Sequence, residues 1–144
     1  MIAVDTNLLV YAHRRDSPWF QAAHRALRPL VEGATPWAIP FPCLHEFLAI
    51  STHSKIYRPP TDTRKALGQV AALIASPSLT LLSEPEGYWP VLERLLVNGQ
   101  VTGPRVHDAR IAALCLCHGI SELWSADRDF TRFPEIRTRN PLVL

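Results

Sequence analysis

The chain has 144 residues, of which 47% are hydrophobic and 19% charged, and its formal net charge is +2. This length suits one domain with its own core, and the composition excludes a disordered chain. No apolar run approaches the about 18 residues of a membrane span, and a strand pattern stands where a secretory leader would carry its charges. We therefore predict a single cytoplasmic domain over residues 1–144.

Short apolar runs alternate with longer segments of helical periodicity. The pattern predicts strands at 2–4, 37–39, 79–82 and 122–125, with a fifth candidate at 142–143. It predicts helices at 18–30, 42–53, 62–75, 86–98 and 105–118. Strands separated by helices indicate an α/β fold, with a parallel sheet covered on both faces. In such sheets the active site lies at the carboxyl ends of the strands.

Two aspartates come just after predicted strands. Asp5 comes after the run IAV at 2–4, and Asp127 comes after the strand in "ELWSADRDF", with Asp129 two residues later. An isolated carboxylate among hydrocarbon groups costs several kcal/mol unless a positive or hydrogen-bonding group meets it. Taken alone, Asp127 also fits an ordinary turn aspartate. Asp5 has no such simple explanation.

Two further acids lie on apolar faces of predicted helices. Glu46 has apolar residues three positions before it and three and four positions after it. Asp108 has apolar residues three, four and seven positions after it. Residues at these offsets share one face of a helix, so both acids point towards the protein interior or a crevice. Taken alone, Asp108 also fits a charge partner for the helix dipole in the first turn.

Acids at two strand ends and on two helical faces can converge at one edge of the sheet. Converging carboxylates repel each other and cannot all ionise without a cation. Oxygen ligands favour a hard ion such as Mg²⁺ or Mn²⁺. Thr6, Asn7 and Ser125 lie beside these acids and can orient carboxylates through hydrogen bonds. The sequence therefore predicts a metal site.

Four motifs together resemble the PIN-domain ribonucleases, and most closely the VapC toxins of bacterial type II toxin–antitoxin modules. They are "VDTNLLVYA", the glutamate in "PFPCLHEFLAIS", "HDARIAAL" and "SADRDF", and the resemblance extends from residue 1 to about residue 133. It implies a three-layer α/β/α domain with a central, mostly parallel sheet of four or five strands. It also implies binding of Mg²⁺ or Mn²⁺ and cleavage of single-stranded RNA.

The resemblance assigns roles by position. The implied catalytic and metal-binding quartet is Asp5, Glu46, Asp108 and Asp127. Residues implied to support the quartet are Thr6, Asn7, Ser125 and Asp129. Whether the glutamate is a ligand or orients the attacking water stays open, as does the choice between one and two ions. The segment 52–64 varies within the family, so the RNA target is not carried over.

The same resemblance implies three partners, namely an RNA substrate, a VapB-like antitoxin and a second copy of the chain in a homodimer. Arginines near the motifs are candidates for phosphate contacts, although each also fits a plain surface residue: Arg14, Arg15, Arg105, Arg110, Arg128 and Arg132. Four aromatic residues fit either an antitoxin groove or the core: Trp19, Phe20, Trp37 and Phe41.

Three other functions compete with this interpretation. A haloacid-dehalogenase-like phosphatase needs a second aspartate two residues after the first, where this chain has Asn7. The pair His107–Asp108 is found in HD-type phosphohydrolases, but those need further histidines in an all-helical fold. A catalytically silent PIN-like domain that only binds RNA or protein usually lacks one or more of the acids, and this chain keeps all four.

Overall fold

The computed structural model describes residues 1–143, which form five strands, six α-helices and two short 3-10 helices. The strands are β1 (Ile2–Val4), β2 (Trp37–Pro40), β3 (Leu79–Leu82), β4 (Glu122–Trp124) and β5 (Thr138–Arg139). The helices are α1 (Thr6–His13), α2 (Phe20–Glu32), α3 (Phe41–Ser51), α4 (Thr63–Ile74), α5 (Tyr88–Asn98) and α6 (Val106–Cys117). The 3-10 helices are Gly103–Arg105 and Arg128–Arg132.

The five strands form one parallel sheet in the order β3-β2-β1-β4-β5. Its central strand β1 is paired on both sides, with Ala3 opposite Ala38 of β2 and Leu123 of β4. These three side chains are fully buried, as expected where helices cover both faces of a parallel sheet. The predicted α/β class with a parallel sheet is therefore confirmed.

The order of the strands places a crevice between β1 and β4. From β1 the chain moves outward through β2 to β3, then crosses back to β4 on the other side of β1. Because parallel crossovers are right-handed, α1 to α4 cover one face of the sheet and α5 and α6 cover the other. The carboxyl ends of β1 and β4 flank the point where the order reverses, which is where sheets of this kind bind ligands.

The structure differs from the prediction in the position of one strand and in one additional helix. The fifth strand lies at Thr138–Arg139, not at 142–143, and Val143 is 56% exposed. Both residues of β5 are exposed at the edge of the sheet, so the strand leaves no apolar pattern in the sequence. Helix α1 was not predicted, because it follows β1 without a loop and its apolar run is short. In residues 1–143 no helix is long and apolar enough to cross a membrane.

Four aromatic residues were predicted to lie either in an antitoxin groove or in the core, and the structure divides them between core and surface. Trp37 is fully buried, and its indole N–H donates to Ser76 Oγ at 3.3 Å. Trp19 and Phe41 are exposed, and Phe20 is half-buried. Trp37 is therefore a core residue and not part of a groove.

Candidate metal centre

Four elements bring acidic side chains to the carboxyl edge of the sheet. Asp5 caps the N-terminus of α1 directly after β1, and Asp127 caps the 3-10 helix that follows β4. Asp108 lies in the first turn of α6, and Glu46 lies in the middle of α3. Helix α3 begins at the carboxyl end of β2. Helix α6 begins at the same edge of the sheet and precedes β4. The predicted quartet therefore gathers around the crevice.

Asp5 is buried and held by four donors. Its Oδ1 accepts from the Thr6 backbone N–H at 2.8 Å and from Cys43 Sγ at 3.6 Å. Its Oδ2 accepts from Ser125 Oγ at 2.7 Å and from Asn7 Nδ2 at 3.3 Å. Burial raises the pKa of Asp5 to about 6, although the hydrogen bonds from Ser125 and Thr6 favour the ionised form. The protein thus fixes this carboxylate before any ligand arrives.

Ser125 and Asn7 connect the end of β1 to the end of β4. Asn7 Nδ2 donates to Ser125 Oγ at 3.1 Å, and Asn7 Oδ1 accepts from the Ala126 N–H at 3.1 Å. Ser125 Oγ also accepts from the Asp127 N–H at 3.0 Å. Asp127 Oδ1 in turn accepts from the Asp129 N–H at 2.8 Å. The network therefore sets the distance between the two strand-end aspartates.

Three acids form the open side of the site. Carboxylate oxygens of Asp108, Asp127 and Asp129 lie within 4.8 Å of one another, and all three residues are half-buried. The pKa of Asp108 is raised to about 6, first by burial and then by repulsion from Asp127, Asp5, Asp129 and Glu46. Five carboxylates therefore share one electrostatic centre. Asp129, for which only a supporting role was expected, lies inside the group of three.

Glu46 is oriented by the residue that follows Asp5. Its Oε2 accepts from Thr6 Oγ1 at 2.9 Å, and the side chain is half-buried. Thr6 therefore donates its backbone N–H to one acid and its hydroxyl to another. This double contact gives the predicted supporting residue a specific place in the site.

Sequence reasoning did not predict the contact between Cys43 and Asp5. Burial raises the pKa of the Cys43 thiol well above its usual range, so the group is an S–H donor and not a thiolate ligand. The signal was present, because Cys43 precedes Glu46 by three residues and so shares its helical face. With the thiol protonated, the atoms available as metal ligands are carboxylate oxygens, which fit a hard divalent cation.

One of the six candidate arginines contacts this centre, and a second lies two residues after Asp108. Arg105 Nη2 is 3.7 Å from Asp129 Oδ1, at the rim of the acidic group. Arg110 holds Glu84 through its Nε at 3.0 Å and its Nη2 at 2.7 Å. Both guanidinium groups are partly exposed, so they can also meet an anionic ligand.

Within residues 1–143, the other four arginines form no ion pair with the acids of the centre. Arg14 donates to both oxygens of Asp16, and its guanidinium stacks on Tyr57 at 4.4 Å from the ring centroid. Arg132 Nη1 lies 3.5 Å from the Gly99 carbonyl oxygen. The remaining two side chains are exposed: Arg15 and Arg128.

A parallel sheet that gathers carboxylates at its switch point defines an α/β protein with an acidic site that could hold a metal ion. The family model described as PIN domain matches residues 2–136 of this chain. Ribonuclease VapC43 of Mycobacterium tuberculosis is 34% identical over 142 residues, covering 99% of this chain and 96% of the relative. Ribonuclease VapC48 of the same species is 31% identical over 137 residues, covering 95% and 94%. The chain belongs to the PIN domain family and, within it, to the VapC ribonucleases.

Solved structures agree on the fold. The VapBC2 structure from Rickettsia felis, described as bound to a DNA fragment from its promoter, matches with a TM-score of 0.68 at 19% identity. The match covers 97% of this chain and 98% of that chain. At this identity the likeness establishes the three-layer fold and not the function.

Proposed function

We propose that this protein is a Mg²⁺- or Mn²⁺-dependent endoribonuclease, acting as the toxin of a type II toxin–antitoxin module. The observation that carries the proposal is the convergence of five carboxylates at the switch point of the sheet. This chain matches curated ribonucleases over almost their full length. We therefore expect such a site to act on RNA. Hydrolysis of a phosphodiester bond is the proposed reaction, with a 3′-hydroxyl and a 5′-phosphate as products.

In the proposed site, Asp5, Asp108 and Asp127 would hold the ion, and Asp129 would complete the open side. A bound divalent ion supplies a water of lowered pKa and neutralises charge that develops on the phosphoryl group. Glu46, held by Thr6, either joins the ligands or accepts a proton from the attacking water.

The hydrogen-bonded network around Asp5 has a separate proposed role. Ser125 and Asn7 keep the carboxylate of Asp5 directed at the centre, so no side chain has to reorganise when the ion binds. The same two residues hold the backbone that carries Asp127. They are positioning residues, because they act through the acids.

A cleavage assay tests the enzymatic part of the proposal. Wild-type protein is expected to cut RNA with Mg²⁺ or Mn²⁺ and to stop when the ion is chelated. The Asp5→Asn variant is expected to be inactive, while Glu135→Gln, which alters an exposed ion pair elsewhere, keeps wild-type activity. Equal cutting by wild type and Asp5→Asn, or no cutting by wild type with either ion, contradicts the proposal. The second result favours a silent, binding-only domain.

The toxin part of the proposal needs an experiment in cells. Expression of the chain alone in the bacterial cytoplasm is expected to arrest growth, and co-expression of a cognate VapB-like antitoxin is expected to relieve the arrest. Asp108→Ala should also relieve it, because the variant lacks one acid of the centre. Continued toxicity of Asp108→Ala would show that the harm does not come from metal chemistry.

The homodimer also belongs to this proposal. VapC-type proteins are expected to pair, and light scattering of the purified chain measures the mass in solution directly. A mass of twice 16.2 kDa supports the dimer. A monomer that persists at micromolar concentration contradicts it.

A further inference from the structure

A groove between α3 and α6 opens next to the acidic centre. It has a volume of about 430 Å³, within the range of small-ligand sites. The residues that line it include His45, Glu46, Ala49, Ile50, His107 and Arg110. We call it the α3–α6 groove.

The groove is continuous with the site already described. Glu46 lines the groove and also accepts the hydrogen bond from Thr6, next to Asp5. On the facing helix, His107 lies in the groove and directly precedes Asp108 of the centre. An RNA strand whose phosphodiester bond lies at the acids can therefore extend into the α3–α6 groove.

One wall of the groove is basic. His107 and Arg110 lie three residues apart on α6 and so share one helical face. Arg110 is held by Glu84 at 2.7 Å, which fixes the direction of the guanidinium while leaving the side chain 41% exposed. Guanidinium and imidazole N–H groups are suitable donors to phosphate oxygens.

The other wall has two aromatic rings at its rim, which are tilted against each other. Phe41 is 40% exposed, and its ring lies 5.3 Å from the ring of His45, centroid to centroid, with an angle of 52° between the planes. His45 is also exposed and lines the groove. An exposed phenyl ring beside a basic wall is a combination that suits unpaired bases, which stack on aromatic side chains.

We propose that the α3–α6 groove binds single-stranded RNA on one side of the cleaved bond, with a base stacked on Phe41 beside His45 and a phosphate contacted by His107 and Arg110. This inference rests on the proposed ribonuclease function and names the residues that hold its substrate. Single-stranded RNA is favoured over a protein partner because a basic and an aromatic wall meet beside carboxylates that act on a phosphodiester bond. It also explains why Phe41 stays out of the core.

The phosphate contact is tested with two matched ion pairs. Arg110–Glu84 and Arg94–Glu135 both measure 2.7 Å between Nη2 and a carboxylate oxygen, and the two arginines are 41% and 47% exposed. Binding is measured as fluorescence anisotropy of a fluorescein-labelled, mixed-sequence single-stranded RNA without divalent ions. Arg110→Gln should weaken binding roughly 5-fold and lower the slope of log affinity against log salt by about 0.7. Arg94→Gln should change neither.

A third variant separates a phosphate contact from a structural role of the ion pair. Glu84→Gln frees the Arg110 guanidinium from a competing anion, so this variant should bind the RNA at least as tightly as wild type. If the ion pair matters only for folding, Glu84→Gln and Arg110→Gln lose affinity together. That shared loss would overturn the assignment of Arg110.

The stacking contact is tested by changing the ring. Phe41→Ala should weaken binding of the same RNA about 10-fold, because a base loses its aromatic partner. Phe41→Tyr keeps a flat ring and should retain the affinity. Trp89→Ala removes a 62% exposed ring from α5 and serves as the control without effect. A duplex of the same sequence should compete weakly, since its bases are already stacked.

The outcomes separate this inference from the proposed function. If wild type cuts RNA while Phe41→Ala and Arg110→Gln bind it like wild type, the groove inference is wrong and the ribonuclease proposal stands. If the variants lose RNA affinity as expected but wild type cuts nothing, the ribonuclease proposal is wrong and the groove assignment stands. If Phe41→Ala loses affinity for the antitoxin but not for RNA, the groove belongs to a protein partner and the inference is overturned.

Discussion

The two sides of the acidic centre are built differently. Asp5 is 5% exposed and accepts four hydrogen bonds, so the protein determines its position completely. Asp108, Asp127 and Asp129 are half-buried and lie within 4.8 Å of one another. Arg105 approaches this second group, at 3.7 Å from Asp129. The fold supplies hydrogen-bond donors for the buried Asp5, whereas the three half-buried acids keep negative charge that the fold does not neutralise.

This difference indicates how the site is divided between stability and function. Hydrogen bonds to Asp5 stabilise the junction of β1 and β4, whereas crowding of the open group costs free energy until a cation binds. Substitutions on the two sides are therefore expected to have similar effects on activity and opposite effects on stability. The following predictions test that contrast.

The largest effect is expected on cleavage. Asp5→Asn and Asp108→Asn should each lower kcat/KM for RNA by more than about 100-fold, because each removes an anionic oxygen from the centre. The measurement is cleavage of a labelled RNA at saturating Mg²⁺, with Glu135→Gln as the matched surface control. Loss of activity in only one of the two variants would show that the two sides do not serve one site.

Ser125 is expected to have the next largest effect. Ser125→Ala removes the donor to Asp5 and the acceptor for the Asp127 N–H, and should lower activity or Mg²⁺ affinity about 10-fold to 100-fold. Ser125→Thr keeps the hydroxyl and should remain close to wild type. The two variants are compared by RNA cleavage over a range of Mg²⁺ concentrations. Equal activity of Ser125→Ala and wild type would remove the positioning role.

The response to Mg²⁺ should depend on pH. The pKa values of Asp5 and Asp108 are each raised from 3.8 to about 6, so between pH 4 and pH 6 the folded state holds protons that the unfolded state releases. Stability without metal should therefore fall as pH rises through this window. Mg²⁺ needs the ionised carboxylates, so its stabilising effect should be present at pH 7.5 and lost near pH 5. Thermal unfolding with and without Mg²⁺ at the two pH values measures both trends, and a Mg²⁺ effect that does not vary with pH would contradict them.

The smallest effect is the difference in stability between the two sides. Without metal, Asp108→Asn removes the repulsion between residue 108 and four other acids, and it should raise Tm by a few degrees, equivalent to about 1 kcal/mol. Asp5→Asn places an amide against donors and should lower stability by about 1 to 3 kcal/mol. Denaturant unfolding of both variants checks the signs, and a common sign would contradict the division described above.

Much of this arrangement was predictable from local patterns. Asp5 and Asp127 come directly after apolar strands, and Glu46 and Asp108 interrupt apolar helical faces, so the sequence itself marked them as unusual. The strand order could not be read from the same patterns, because it depends on crossovers that join distant segments. It is this order that makes the strand ends before Asp5 and Asp127 neighbours.

The parts that were missed share a physical cause. Strand β5 consists of two exposed residues, so burial leaves no periodic signal there. The S–H contact from Cys43 and the place of Asp129 in the open group depend on side-chain directions set by tertiary packing. The α3–α6 groove, with His45 on one wall and His107 on the other, likewise requires two helices that are far apart in sequence.

Crystals of the protein grown at pH 7.5 with Mn²⁺ would test the central claim most directly, through the anomalous signal of the ion. We expect a peak contacted by carboxylate oxygens of Asp108 and Asp127, on the side that faces Asp5, and loss of this peak in Asp108→Asn. A wild-type crystal without a peak at that position, in which the acids instead turn apart or pair with Arg105, would contradict the account.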